Sequence, residues 1–107
     1  MNLGGIKVSS LQIEEVVGGV EGVRETAAVA VSPPGGGPSM LVVYAVPAGE
    51  TGLNAADLRS AMQQAIRAEL NPLFQLHDVV ITEALPRTAS NKVLRRELRA
   101  VYEKRIS

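Results

Sequence analysis

Six consecutive residues, Pro33-Pro34-Gly35-Gly36-Gly37-Pro38, separate two apolar runs, Ala27-Ala28-Val29-Ala30-Val31 and Met40-Leu41-Val42-Val43-Tyr44-Ala45-Val46. Proline withholds a backbone donor and fixes φ, and glycine gives a chain no reason to stay regular, so this run is neither helix nor central strand. The small and β-branched residues on either side suit buried strands. Two such strands joined by a short loop form a hairpin, and the hairpin commits the chain to a sheet that helices must cover.

The helices carry their own signals. Ser9 with Gln12 three residues on makes a capping-box pattern, and Val8 and Ile13 are spaced as a hydrophobic staple, which predicts a helix from Ser10 to Val17. Gly18 and Gly19 stop it, and Val20-Glu21-Gly22-Val23 turns the chain into the first long strand. Asn54 caps a second helix reaching about Leu70, in which Leu58, Met62, Ala65, Ile66 and Leu70 recur at three- and four-residue intervals, the spacing of a core-facing stripe. Asn71-Pro72 breaks that helix, Asp78-Val79-Val80-Ile81-Thr82 reads as a third strand, and a last helix is expected from Ser90 or Asn91 to about Lys104. Gly4-Gly5-Ile6-Lys7-Val8 reads as a short strand or hairpin arm. The expected fold is α+β: a small, mainly antiparallel sheet of about three strands, plus an N-terminal hairpin arm, packed with about three helices.

Composition narrows the function classes. With 107 residues the chain is long enough for one domain with its own core, and with 46% apolar but only 3% aromatic residues that core is built of Val, Leu, Ile and Ala. The absence of cysteine excludes disulfides, thiolate metal sites and cysteine nucleophiles, and the single His77 cannot make a metal site alone. No apolar run approaches the ~20 residues of a membrane span and Met1 does not open a signal peptide, so a cytoplasmic protein is expected. The net charge of zero hides a split: residues 1–86 carry four cations against nine acids, a net −5, and residues 87–107 carry seven cations against two acids, a net +5. Such a basic end is either a solvated helix suited to its dipole or a surface for phosphates.

Pro86-Arg87-Thr88-Ala89-Ser90-Asn91-Lys92-Val93-Leu94-Arg95-Arg96-Glu97-Leu98 presents one lysine from a polar loop and then begins a basic helix. This run resembles the last signature of the AMP-dependent acyl-CoA synthetase and adenylate-forming ligase superfamily, Pro-x-Thr-x-Ser-Gly-Lys followed by an arginine-rich helix. Asn2-Leu3-Gly4-Gly5-Ile6-Lys7-Val8-Ser9-Ser10-Leu11-Gln12-Ile13-Glu14 resembles the segment that opens the small C-terminal domain of the same enzymes. The two motifs stand in the right order a domain length apart, so the resemblance covers essentially the whole chain. It implies a single C-terminal lid domain over residues 1–107, with the large N-terminal domain, its phosphate loop and the family's hinge residue all absent.

The resemblance further implies an acid–thiol ligase that activates a carboxylic acid as acyl-AMP and passes it to coenzyme A, the isolated domain being inactive. ATP with magnesium would be bound mainly by the absent domain, which is the expected partner, with no nucleic acid and no metal site on this chain. Lys92 would serve the adenylation step. Negative charge gathers as a carboxylate attacks the α-phosphorus, and an ammonium on a long stem can reach both the acyl and the phosphate oxygens. Thr88 and Ser90 would position Lys92 as loop or cap residues. Asn91 stands where glycine is usual, and asparagine tolerates left-handed backbone better than other residues with a β-carbon. Gly4, Gly5, Ile6 and Lys7 would face the pantetheine arm of coenzyme A after the domain rotates, glycine leaving room for a narrow thiol channel. Glu14 would anchor the helix start or the interface, and Arg95, Arg96 and Arg99 are candidates to meet coenzyme A phosphates.

Without the resemblance, the element order fits a stand-alone ferredoxin-like module that binds a small molecule or regulates, in which Lys92 has no role. Gly19-Val20-Glu21-Gly22 also fits the Gly-x-x-Gly of an RNA-binding KH domain, but its central residues are apolar and acidic where phosphate contact calls for basic ones.

Overall fold

The computed structural model describes residues 2, 3, 6–49, 52 and 54–106, with the backbone alone for Ile6. Two short strands, β1 (Asn2–Leu3) and β2 (Ile6–Lys7), pair antiparallel as an N-terminal arm. They are followed by α1 (Ser10–Val17), β3 (Val23–Val31), β4 (Met40–Pro47), α2 (Ala55–Glu69), β5 (Leu76–Ile81) and α3 (Arg95–Ile106). β3 and β4 form the hairpin across the proline and glycine run, with Ala28 opposite Val43 and Val31 opposite Met40. The main sheet has the order β3-β4-β5: β3 lies antiparallel to β4, and β5 lies parallel to β4 after the α2 crossover, so with the β1-β2 arm two of the three pairings in the domain are antiparallel.

Period-two alternation along the hairpin splits the core into two layers. Ala28, Leu41, Val43 and Ala45 point to the face covered by α1 and α2, where they meet Ile13, Val17, Leu58, Met62 and Ile66. Ala27, Val29, Val31, Val42, Tyr44 and Val46 point to the opposite face, where α3 delivers Leu98 and Tyr102. With helices on both faces, β4 is buried from Leu41 through Val46.

Local chemistry sets the element ends. The Ser9 side chain accepts from Gln12 N–H at 3.2 Å and the Gln12 side chain accepts from Ser9 N–H at 3.1 Å, closing the capping box. The side chain of Asn54 accepts from Asp57 N–H at 2.8 Å to cap α2. Gln63 on α2 fixes the approach to β5, donating to Phe74 C=O at 2.9 Å and accepting from Leu76 N–H at 2.7 Å.

Three expectations are corrected. The last helix starts at Arg95 rather than at Ser90 or Asn91, because the residues before it close into a small hairpin of their own. β3 begins at Val23, four residues before the apolar run, since pairing with Pro47 and Val46 extends it through Arg24, Glu25 and Thr26. β5 begins at Leu76 and ends at Ile81. The ferredoxin-like alternative also departs from the structure: among the described residues the N-terminal arm pairs with itself and adds no fourth strand to the main sheet.

Candidate functional site

The lysine loop is a closed five-residue turn. Thr88 N–H donates to Lys92 C=O at 2.8 Å, Asn91 N–H donates to Thr88 C=O at 2.9 Å, and Thr88 Oγ1 accepts from Lys92 N–H at 3.1 Å. Thr88 and Ser90 share a hydroxyl contact of 3.0 Å. Just outside, Arg87 and Val93 form an antiparallel bridge, and Leu94 N–H donates to Pro86 C=O at 2.9 Å. The turn needs one left-handed residue, and Asn91 supplies it with φ 67°, the only positive φ among described residues other than glycine. A left-handed residue cannot continue a right-handed helix, which is why α3 waits until Arg95. Lys92 stands exposed at the end of this turn, and no described residue pairs with its ammonium.

Two residues that sequence reading passed over hold the loop against the sheet. Arg87 donates from Nη1 to Asn91 C=O at 3.1 Å, and from Nη2 to the Glu25 carboxylate on β3. The guanidinium thus ties the strained residue beside Lys92 to a rigid strand. A charge five residues before the lysine was visible in the sequence. Its partner, 62 residues away, was not.

Glu14 has a sharper role than expected. Its carboxylate accepts from Ala28 N–H on β3 at 2.8 Å and from both arms of Arg95, Nε at 2.8 Å and Nη2 at 2.5 Å. This bidentate pair joins α1, which follows the N-terminal arm, to α3, which follows the lysine loop. The hydrogen bond to Glu14 raises the Arg95 pKa above its usual value, so the guanidinium stays charged. Arg95 is therefore engaged in the fold, whereas Arg96 and Arg99 remain exposed.

Gly4 and Gly5 lie outside the described residues. Ile6 and Lys7 form β2, with Lys7 exposed, so these two residues lie on the arm and apart from the main sheet. On the other side of the core, the Tyr102 hydroxyl donates to Asp78 at 2.8 Å and the Tyr44 hydroxyl donates to Leu98 C=O at 3.1 Å, locking α3 onto the sheet. Burial, then the hydrogen bond to Asp78, pushes the Tyr102 pKa up to about 12.

The family model for the AMP-binding enzyme C-terminal domain matches residues 12–92, from the first turn of α1 to the loop lysine. The chain belongs to that family. It is similar to hexanoyl-CoA synthase of Cannabis sativa, 45% identical over 95% of this chain and 15% of that protein. It is likewise similar to the probable acyl-activating enzyme 18, peroxisomal, of Arabidopsis thaliana, 48% identical over 92% of this chain and 14% of that protein. The chain thus spans about one seventh of the length of these relatives. The fold of this C-terminal domain recurs in the crystal structure of Brucella canis acyl-CoA synthetase, with a TM-score of 0.86 at 18% identity over 99% of this chain and 19% of that one. No helix among the described residues is long and apolar enough to cross a membrane.

Proposed function

We propose that residues 1–107 are the small lid domain of an AMP-forming acid–thiol ligase, following a large N-terminal domain that binds ATP and the carboxylic acid. Lys92 is its adenylation residue. In that step a carboxylate oxygen bonds to the α-phosphorus of ATP, the bond from that phosphorus to the pyrophosphate oxygen breaks, and pyrophosphate leaves. Negative charge on the acyl and phosphoryl oxygens meets the Lys92 ammonium, which is more effective in a closed, dry site than in water. Thr88, Ser90, Asn91 and Arg87 hold the loop in one shape, so little reorganisation is needed as the lysine engages. In the second step the thiol of coenzyme A attacks the acyl carbon and AMP leaves, with Gly4 to Lys7 facing the pantetheine arm after the lid has rotated.

The observation that carries this reading is the lysine turn itself, an exposed cation with no described partner on a loop closed by four hydrogen bonds. The names of the relatives, hexanoyl-CoA synthase and acetyl-coenzyme A synthetase, favour a short- or medium-chain aliphatic acid. The sequence points to the cytoplasm and the Arabidopsis relative is named peroxisomal, alternatives that imaging of the tagged full-length protein separates.

The test is carboxylate-dependent ATP–pyrophosphate exchange in the full reading frame, in the same protein with Lys92→Ala, and in this chain alone. Exchange should occur only in the long protein and fall ~10²- to 10³-fold with the substitution, the loss expected when one charge-stabilising contact is removed. Thioester formation from preformed acyl-AMP should be spared. Unchanged exchange in the Lys92→Ala protein would remove the lysine from the mechanism.

A further inference from the structure

A cleft of about 420 Å³ opens between the N-terminal arm, the outer edge of β3 and the first turns of α3. We propose that it is a binding site for a phosphate monoester dianion.

β3 is an edge strand, so alternate amides along it point away from the sheet. Two of these amides are met by carboxylates: Ala28 N–H donates to Glu14 at 2.8 Å and Ser32 N–H donates to Glu103 at 2.6 Å. Strand periodicity puts the Ala30 N–H, midway between them, on the same edge, and Ala30 lines the cleft with no acceptor for that amide among the described residues. The Ala30 amide is thus left as the open donor between two amides that already meet carboxylates.

The surrounding charge has the matching sign. Arg96 and Arg99, one turn apart on α3, line the cleft and form no ion pair among the described residues; no acidic residue is among its described lining, and of the two carboxylates on the flanking amides that of Glu14 is already paired with Arg95. Ser10 and Ser39 add hydroxyl donors. Two guanidinium groups with an amide and two hydroxyls suit an oxyanion of charge about −2, since a single carboxylate would leave one fork unmatched. The size suits a small molecule, whose pockets span about 300–1,000 Å³. None of the lining residues belongs to the 86–92 loop, so the site stands whether or not Lys92 acts in adenylation. Two sources offer this chemistry, free or metabolite phosphate and the 3′-phosphate of coenzyme A, the second resting on the proposed function.

The experiment is an amide-resolved NMR titration of the 107-residue chain with inorganic phosphate, with acetate as the singly charged control, repeated on Arg96→Gln/Arg99→Gln. The expected result is a saturable shift of the Ala30 amide with phosphate, a far smaller one with acetate, and about tenfold or weaker binding by the double variant, whose dispersed spectrum reports that it folds. Coenzyme A and 3′-dephospho-coenzyme A then separate the sources. Tighter binding of coenzyme A assigns the site to its 3′-phosphate, and equal binding assigns it to another phosphate. An Ala30 amide that does not move with phosphate, acetate acting as strongly, or a double variant binding as well as the parent would each overturn the proposal.

Discussion

Removing the Glu14–Arg95 pair tests whether one ion pair joins the two functional ends of the domain. The Glu14 side chain is 12% exposed and that of Arg95 29%, so neither is well screened by water, and the carboxylate accepts three hydrogen bonds. Glu14→Gln keeps an acceptor for Ala28 N–H but removes the charge, which costs about 1.5–3 kcal/mol, the range for hydrogen bonds to charged groups. Arg95→Met keeps the stem and strands the carboxylate with Ala28 N–H alone, approaching the ~3 kcal/mol lower end for breaking a buried pair. For a domain of this size, 2–3 kcal/mol lowers Tm by roughly 10–20 °C. The assay is urea unfolding at neutral pH on both single variants and the double variant. If the pair is a unit, the double variant loses less than the two singles together, with a coupling of about 1–2 kcal/mol. Additive losses, or single losses under about 0.5 kcal/mol, would show that the contact is a surface pair of the ordinary weak kind and that α1 and α3 are joined by packing alone.

Other outcomes follow from the same geometry. Asn91→Gly should raise stability by about 0.5–1 kcal/mol and Asn91→Val lower it by about 1–2 kcal/mol, because φ 67° suits glycine and excludes a β-branched residue; thermal unfolding of the two variants checks the order. Arg87→Ala in the full-length protein should lower ATP–pyrophosphate exchange about ten- to hundredfold by loosening the loop, while leaving thioester formation from preformed acyl-AMP unchanged. Tyr102 has its pKa raised to about 12 in the fold and near 10 when unfolded, so its contribution is present below pH 10 and is lost as pH rises toward 12. Up to ~2.7 kcal/mol should disappear across that window in urea titrations. Tyr102→Phe should flatten the pH dependence, leaving the smaller part due to Tyr44, whose pKa burial also raises.

The elements that rest on local chemistry were legible in the sequence. The Ser9 and Asn54 caps, the limits of α1, the span of α2 and the hairpin across residues 33–38 all depend on groups within a few positions of one another, and each stands where its signal put it. The start of α3 was misread because the cue came from tertiary structure. The residues from Ser90 on carry helix-starting polar groups, but Arg87 and its bond to Glu25 hold a closed turn there, and a left-handed Asn91 blocks the helix.

What the sequence determined by itself was the set of elements, the apolar runs that become the core, and the placing of one lysine on a polar loop before a basic helix. Hydrogen bonds and side-chain periodicity of short range carry that information. Only the tertiary structure decided that β5 runs parallel to β4, that Glu14 meets Arg95 across 81 residues, and that Glu25 steadies the lysine turn from β3. It alone brought the open edge at Ala30 beside Arg96 and Arg99. Long-range pairings of this kind depend on which faces are brought together as the core closes, and no spacing along the chain records them.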